Sequence, residues 1–254
     1  MSLPTLFFRG KAEMTYVIVA LAALTAGAIQ TVTGFGAAVV LMLVLPRIFG
    51  VVTASAVSTS ICVALSGVLA WELRKKTDFR LIALPTAVFG VCGIVIINLI
   101  RSLDLHILGI LFGVFLLALS LYNLAFAKKA SLRPTTPVIL LSGAVSGTFS
   151  GLFSIGGPLM ALCLLPCSED HEQYIGNMQT LFVVTNIINI IARISNGLYT
   201  SDLLPYTLVG MAFILIGKEF GVRFVKKLNI EAIKKVIYVF VGISGALTLA
   251  ENLF

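Results

Sequence analysis

The chain reads as an all-α polytopic membrane protein built from two inverted-topology repeats of about five helical elements each, with a short broken helix in each repeat. Three observations predict this. The 254 residues are 59% hydrophobic and only 11% charged, against about 25% charged in ordinary soluble domains. Several apolar runs exceed the roughly 18 residues that mark a spanning helix. Sliding the sequence by 120 residues without a gap sets Gly27 on Gly147, Gly36 on Gly156, Leu45 on Leu165 and Pro46 on Pro166. The division predicted is 1–130 for the first repeat and 131–254 for the second, together one integral membrane domain.

In order along the first half, apolar periodicity predicts helices over 14–33, 36–48, 52–73, 81–100 and 104–127. The second half repeats them over 136–153, 157–167, 175–198, 203–220 and 231–250. The run from Met14 to Ala28 follows Arg9 and Lys11 like a secretory signal. Its partner near 138–153 lies deep in the chain, so both are expected to belong to the fold. The second element of each half has about eleven to thirteen residues, roughly 17–20 Å of helix, against about 30 Å of hydrocarbon. Either it returns as a re-entrant arm, giving three crossings per half, or it crosses with bilayer thinning, giving five. Both counts are odd, and an odd count places the second repeat upside down relative to the first.

The basic residues follow that topology. With both termini outside, Arg74, Lys75, Lys76 and Arg80, then Lys128, Lys129 and Arg133, then Lys218, Arg223, Lys226, Lys227, Lys234 and Lys235 all fall in cytoplasmic connectors, as the positive-inside rule requires. Arg9 and Lys11 dissent. The net charge of +7 is therefore topological, and nucleic-acid binding is excluded. The acidic stretch 168–172 is expected as a solvated loop, with Glu72, Asp104, His106 and Glu219 at helix ends. The cysteines Cys62, Cys92, Cys163 and Cys167 sit in or at the ends of apolar runs without metal-ligand spacing, so neither a metal, a cofactor nor a catalytic residue is implied.

The glycine breaks carry the chemistry. At Thr33-Gly34-Phe35-Gly36 and Ser154-Ile155-Gly156-Gly157-Pro158 the helical hydrogen-bond ladder stops where no water is at hand. Such a gap survives when it faces a cavity or a ligand. Helix starts bind oxyanions, so Gly36, Ala37, Gly156 and Gly157 are expected to offer backbone N–H groups. Gln30, Thr33, Thr59, Ser154, Asn177 and Gln179 are expected to add side-chain donors, Gly34 a close backbone approach, and Phe35 and Ile155 the cavity's shape or thin gates. Arg193, late in its helix, is a candidate by the rule that intramembrane charges serve function, although a position so near the helix end also permits snorkelling. Bulky residues at Gly36 or Gly156 are expected to block binding and leave folding intact.

The run Gly34-Phe35-Gly36, the apolar helix ending at Pro46 and the second copy Gly151-Leu152-Phe153-Ser154-Ile155-Gly156-Gly157-Pro158 resemble the sulfite exporter TauE/SafE family, also called the toluene sulfonate uptake permease family. The resemblance implies an inner-membrane secondary carrier for sulfite, thiosulfate or organosulfonates, working in the direction of export, with the lipid bilayer and a small sulfur-containing anion as its partners. Proton and sodium coupling both stay open, as do an anion channel or a membrane-embedded enzyme on the same scaffold. The first copy has Gly36-Ala37 where the second has Gly156-Gly157, which implies unequal half-sites.

Overall fold

The computed structural model describes residues 3–126, 135–223 and 230–253, with side chains from residue 13 onward and, in the last helix, from 235. The connectors holding Lys128, Lys129, Arg133, Lys226 and Lys227, and the side chains of Arg9, Lys11 and Lys234, lie outside these. Among the described residues the chain is helical: α1 Leu3–Thr33, α2 Ala37–Val44, α3 Pro46–Phe49, α4 Val51–Glu72, α5 Phe79–Leu99, α6 Leu105–Phe126, α7 Thr136–Phe153, α8 Gly157–Leu164, α9 His171–Ser195, α10 Leu204–Arg223 and α11 Ile230–Leu253. Eight of these helices are long and apolar enough to cross a membrane, which makes this a multi-pass membrane protein.

Several boundaries have a local cause. Asp78 caps α5 by accepting from the N–H groups of Arg80 and Leu81 at 3.0 and 3.1 Å. Asp170 caps α9 through the N–H of Gln173 at 2.7 Å. The element expected over 36–48 is two helices, because Pro46 has no N–H and starts a new turn after Leu45. The equivalent Leu165-Pro166 pair converts the end of the second short element into a 3-10 turn, Leu165–Cys167.

The packing exchanges the halves. Helix α1 packs on α10 and α7 on α5, while α4 pairs with α9 and α6 with α11. Glycines allow backbone contact at these seams: a Cβ on Gly27 would strike the Ile214 carbonyl, and one on Gly147 would strike the Phe89 carbonyl. Directions follow from the contacts. Gly217 meets Leu24 and Gly221 meets Ala28, so α1 and α10 run parallel; Gly143 meets Pro85 and Gly151 meets Gly93, so α7 and α5 do too. By contrast Arg193 reaches Ser55 and Gly176 meets Leu73, so α4 and α9, which the 120-residue shift makes equivalent, run in opposite directions. Helices α6 and α11 are likewise antiparallel, with Gly109 on Asn252 and Gly242 on Ser120.

Both broken segments are hairpins. Tyr16 of α1 stacks on Tyr206 with ring centroids 4.6 Å apart, and Phe49 at the end of α3 meets the same ring edge-on at 5.3 Å. The segment from α1 to α3 therefore leaves and returns at one end of the bundle. At the opposite end Lys76 pairs with Asp170 at 3.0 Å, the Asp78 N–H donates to Asn177 at 2.8 Å, and Lys218 pairs with Glu72. There α7 starts alongside α5 and α8 returns, its Cys163 thiol lying 2.9 Å from Ser142 of α7. Each short element thus folds back beside the helix that precedes it.

Candidate functional site

The two breaks are built differently. In the first, Gly34 (φ +80°) and Gly36 (φ +108°) take left-handed conformations that favour glycine. The carbonyls released at the end of α1 are met one by one from α9: His171 Nε2 lies 3.2 Å from the Val32 oxygen, Tyr174 donates to Thr33 at 3.4 Å and Gln179 to Gly34 at 2.7 Å. The Thr33 hydroxyl sits 2.5 Å from the Phe35 carbonyl. The Ala37 N–H, expected to be free, donates to Gln30 Oε1 at 3.2 Å. Gln30 Nε2 in turn donates to Gln179 at 3.0 Å and to Ser66 at 3.3 Å. The first break is thus closed by its own chain.

The second break turns at Ser154 (φ +63°), alone among the described non-glycine residues in the left-handed region. Thr59 Oγ1 holds it at 2.9 Å from Ser154 Oγ. Helix α8 then starts at Gly156-Gly157-Pro158 with no side-chain cap. In α2, by contrast, one N–H of the first turn, that of Ala37, is taken by Gln30.

A cavity of about 400 Å³, counting the part open to solvent, lies between the breaks. Its wall includes Gln30 and Gly36 from the first break and Ser154, Ile155, Gly156 and Gly157 from the second. Ten of the fourteen wall residues form five pairs separated by 120: Gln30 with Ser150, Gly36 with Gly156, Ala38 with Pro158, Cys62 with Phe182, and Ser66 with Asn186. The two clamps obey the same shift, since Gln179 on Gly34 and Thr59 on Ser154 are equivalent pairs. The cavity therefore draws shift-related residues from both breaks and from both α4 and α9. None of its wall residues is charged.

Six of the expected residues thus meet at one hollow, and the others lie elsewhere. Gln179, Gly34, Ala37 and Thr59 stand behind the wall in the clamps. Thr33 and Phe35 line, with Gly36, a second hollow of about 290 Å³ facing Ile237 and Tyr238 of α11. Asn177 sits at the bundle end with Asp78 and, at 3.4 Å, Ser168. Arg193 is fully buried and bonds the Gly151 carbonyl rather than reaching the surface. The acidic stretch is exposed over 169–172, as a solvated loop should be, with Asp170 paired to Lys76 and His171 at the Val32 oxygen. Gly156 has no room for a side chain, because its Cβ would come 2.7 Å from the Ser146 carbonyl; the expectation that a bulky residue there spares folding is therefore overturned. Sequence reasoning missed Cys62, Ser66 and Phe182. Their signal was present in the stripe Ser55, Thr59, Cys62, Ser66, which repeats at helical spacing along one face of α4, with Phe182 as the 120-shifted partner of Cys62.

No curated protein and no solved structure matches the chain. The family model described as sulfite exporter TauE/SafE matches residues 19–248. The chain accordingly belongs to the sulfite exporter TauE/SafE family of membrane transporters.

Proposed function

We propose that the chain is a secondary carrier that exports a small sulfur-containing anion, sulfite or a close relative, across the cytoplasmic membrane, holding it in the cavity between the two breaks. The supporting observation is the wall of that cavity, formed by both breaks and by five residue pairs related by the 120-residue shift. Equivalent helices running oppositely in one bundle are what inverted repeats produce, and such carriers bind substrate at the repeat interface near mid-membrane. With the Tyr206 end outside and the Lys76 end inside, both termini are extracellular and the basic connectors cytoplasmic.

Binding in this reading is uncharged and lopsided. The open start of α8 contributes about 0.3–1 kcal/mol, rising to about 2 kcal/mol when partly buried. Hydroxyl and amide donors such as Ser154, Ser66 and Asn186 each add about 1.5–3 kcal/mol to a charged acceptor. The desolvation cost of a bare oxyanion offsets much of this sum, so the guest binds and also leaves. Gln30 keeps the first break shut with or without the guest, and Phe35 of the second hollow packs against Gly157 of the first.

Ala38 lines the cavity outside both clamps, so Ala38→Leu fills the hollow without opening them. Purified wild-type protein is expected to melt higher with sulfite than with acetate, and the Ala38→Leu variant to show no sulfite shift while keeping its unliganded melting temperature. An equal sulfite shift in both proteins refutes the site. In proteoliposomes, saturable flux with counterflow marks a carrier, and flux that rises without saturation marks a channel.

A further inference from the structure

Arg193 presents a problem the cavity does not solve. Its guanidinium is fully buried, yet no carboxylate pairs with it among the described residues. Its bonds run to Ser55 Oγ of α4 at 2.7 Å, the Gly151 carbonyl at 2.7 Å and the Ser150 carbonyl at 3.4 Å, and its Nε–H has no partner. A buried cation satisfied only by neutral acceptors is incompletely compensated, and intramembrane charges of this kind mark pathways. The residues around it repeat the pattern. Asn189, one turn earlier, donates to Ser150 Oγ at 3.2 Å and leaves its Oδ1 unmet, while the buried Ser146 hydroxyl, one turn before Ser150, has no partner.

Two further facts give this cluster a direction. Ser150 belongs to the cavity wall and is also the residue that Arg193 and Asn189 hold, so the cluster begins where the cavity ends. It lies toward the Tyr206 end, since Ser55 is one turn from the start of α4. The shift-related position of Arg193 is Leu73, so this cation has no counterpart at the equivalent position of the other half.

We propose that Arg193 is a second anion subsite on the route from the cavity to the Tyr206 end, closed in this structure by the last turn of α7. An oxyanion leaving the cavity replaces the Ser150 and Gly151 carbonyls on the guanidinium, because a charged acceptor outcompetes a neutral one for the same planar donors. Releasing those carbonyls frees the end of α7 beside the break. The subsite takes a small oxyanion with two or more exposed oxygens. It rests on the cavity reading above for the identity of the guest.

The test uses sulfite flux from reconstituted protein, sulfite affinity in detergent and the unliganded melting temperature. Arg193→Gln is expected to lower the maximal flux at least tenfold with the affinity unchanged within twofold, and Arg193→Lys, which keeps the charge, to return flux to within threefold of wild type. Unchanged flux in Arg193→Gln overturns the proposal. Flux lost equally in both variants together with a lower melting temperature shows a structural pillar, and affinity lost in step with flux shows a cavity ligand; either overturns it. Should Arg193→Gln not fold, Ser55→Ala decides, because it frees one guanidinium edge: flux is expected to rise, and a fall overturns the proposal. Ala38→Leu runs alongside, so that retained sulfite binding in that variant refutes the cavity independently of Arg193.

Discussion

Gln179 does more for the site than its distance from the cavity suggests. It is fully buried, and its amide is the donor to the Gly34 carbonyl at the point where α1 stops. Gln179→Ala strands that carbonyl and removes the acceptor of Gln30, a loss of about 1–3 kcal/mol for an unmet buried group. Thermal unfolding in detergent should show a lower melting temperature for Gln179→Ala than for wild type, and an unchanged one contradicts the clamp. At the bundle end, the tie between Lys76 and Asp170 has a defined pH window. The Gln173 N–H, followed by the Lys76 ammonium, holds the Asp170 carboxyl below its ordinary 3.8, and Asp170 raises Lys76 above its ordinary 10.5. A lowered carboxyl stabilises the fold above its unfolded value and loses that contribution as the pH falls through the folded one. A raised ammonium contributes below 10.5 and loses it as the pH rises further. Hydrogen exchange in residues 74–78 should therefore be flat from about pH 5 to 9 once corrected for the intrinsic rate and quicken below pH 3.8; quickening near pH 7 contradicts the pairing.

The helices and breaks were readable because lipid removes alternatives. Apolar runs bounded by charge leave few choices of span, and the bounds of α7 agree with the sequence reading residue for residue. Gly36 and Gly156 were legible as breaks since each precedes a short element in a repeated context. The fate of the backbone groups at the breaks was not legible. Whether the Ala37 N–H meets a ligand or Gln30 depends on a side chain seven residues earlier folding back across a left-handed turn, which spacing does not encode. Asn177 was misplaced for a similar reason: it shares a helix with Gln179 and Asn186 but points to the face that meets Asp78. Glycine had two roles that composition alone did not separate. Gly27 and Gly147 are seam residues, each against a carbonyl, and overpacking such a seam costs at the upper end of about 1–3 kcal/mol. Gly27→Leu and Gly147→Leu are each expected to lower the melting temperature by similar amounts, because α1 on α10 and α7 on α5 are equivalent seams. A large effect in one and none in the other contradicts the equivalence.

Across the whole molecule, the 120-residue shift links sequence to site. It pairs the breaks, the clamps and the cavity walls, and it makes the unpaired features conspicuous: the Gln30 cap on one half and Arg193 on the other. In the proposed carrier, this difference between the two sides of the cavity gives transport a built-in polarity. The polarity requires the Lys76 end and the Tyr206 end, where Arg101 lies just past the last residue of α5, to face opposite sides of the membrane. Lys76→Cys is expected to react with an impermeant maleimide only from the cytoplasmic side and Arg101→Cys only from outside. Labelling of both from one side contradicts the topology.

A structure determined with selenite, a heavier analogue of sulfite whose selenium is located by anomalous scattering, tests most directly whether the two breaks share one guest. The expected result is a selenium peak in the cavity between Gln30 and Ser150, within hydrogen-bond reach of the first turn of α8 and of the Ser154 hydroxyl. A cavity collapsed onto its own side chains, or a peak confined to the protein surface with the hollow empty, would contradict it.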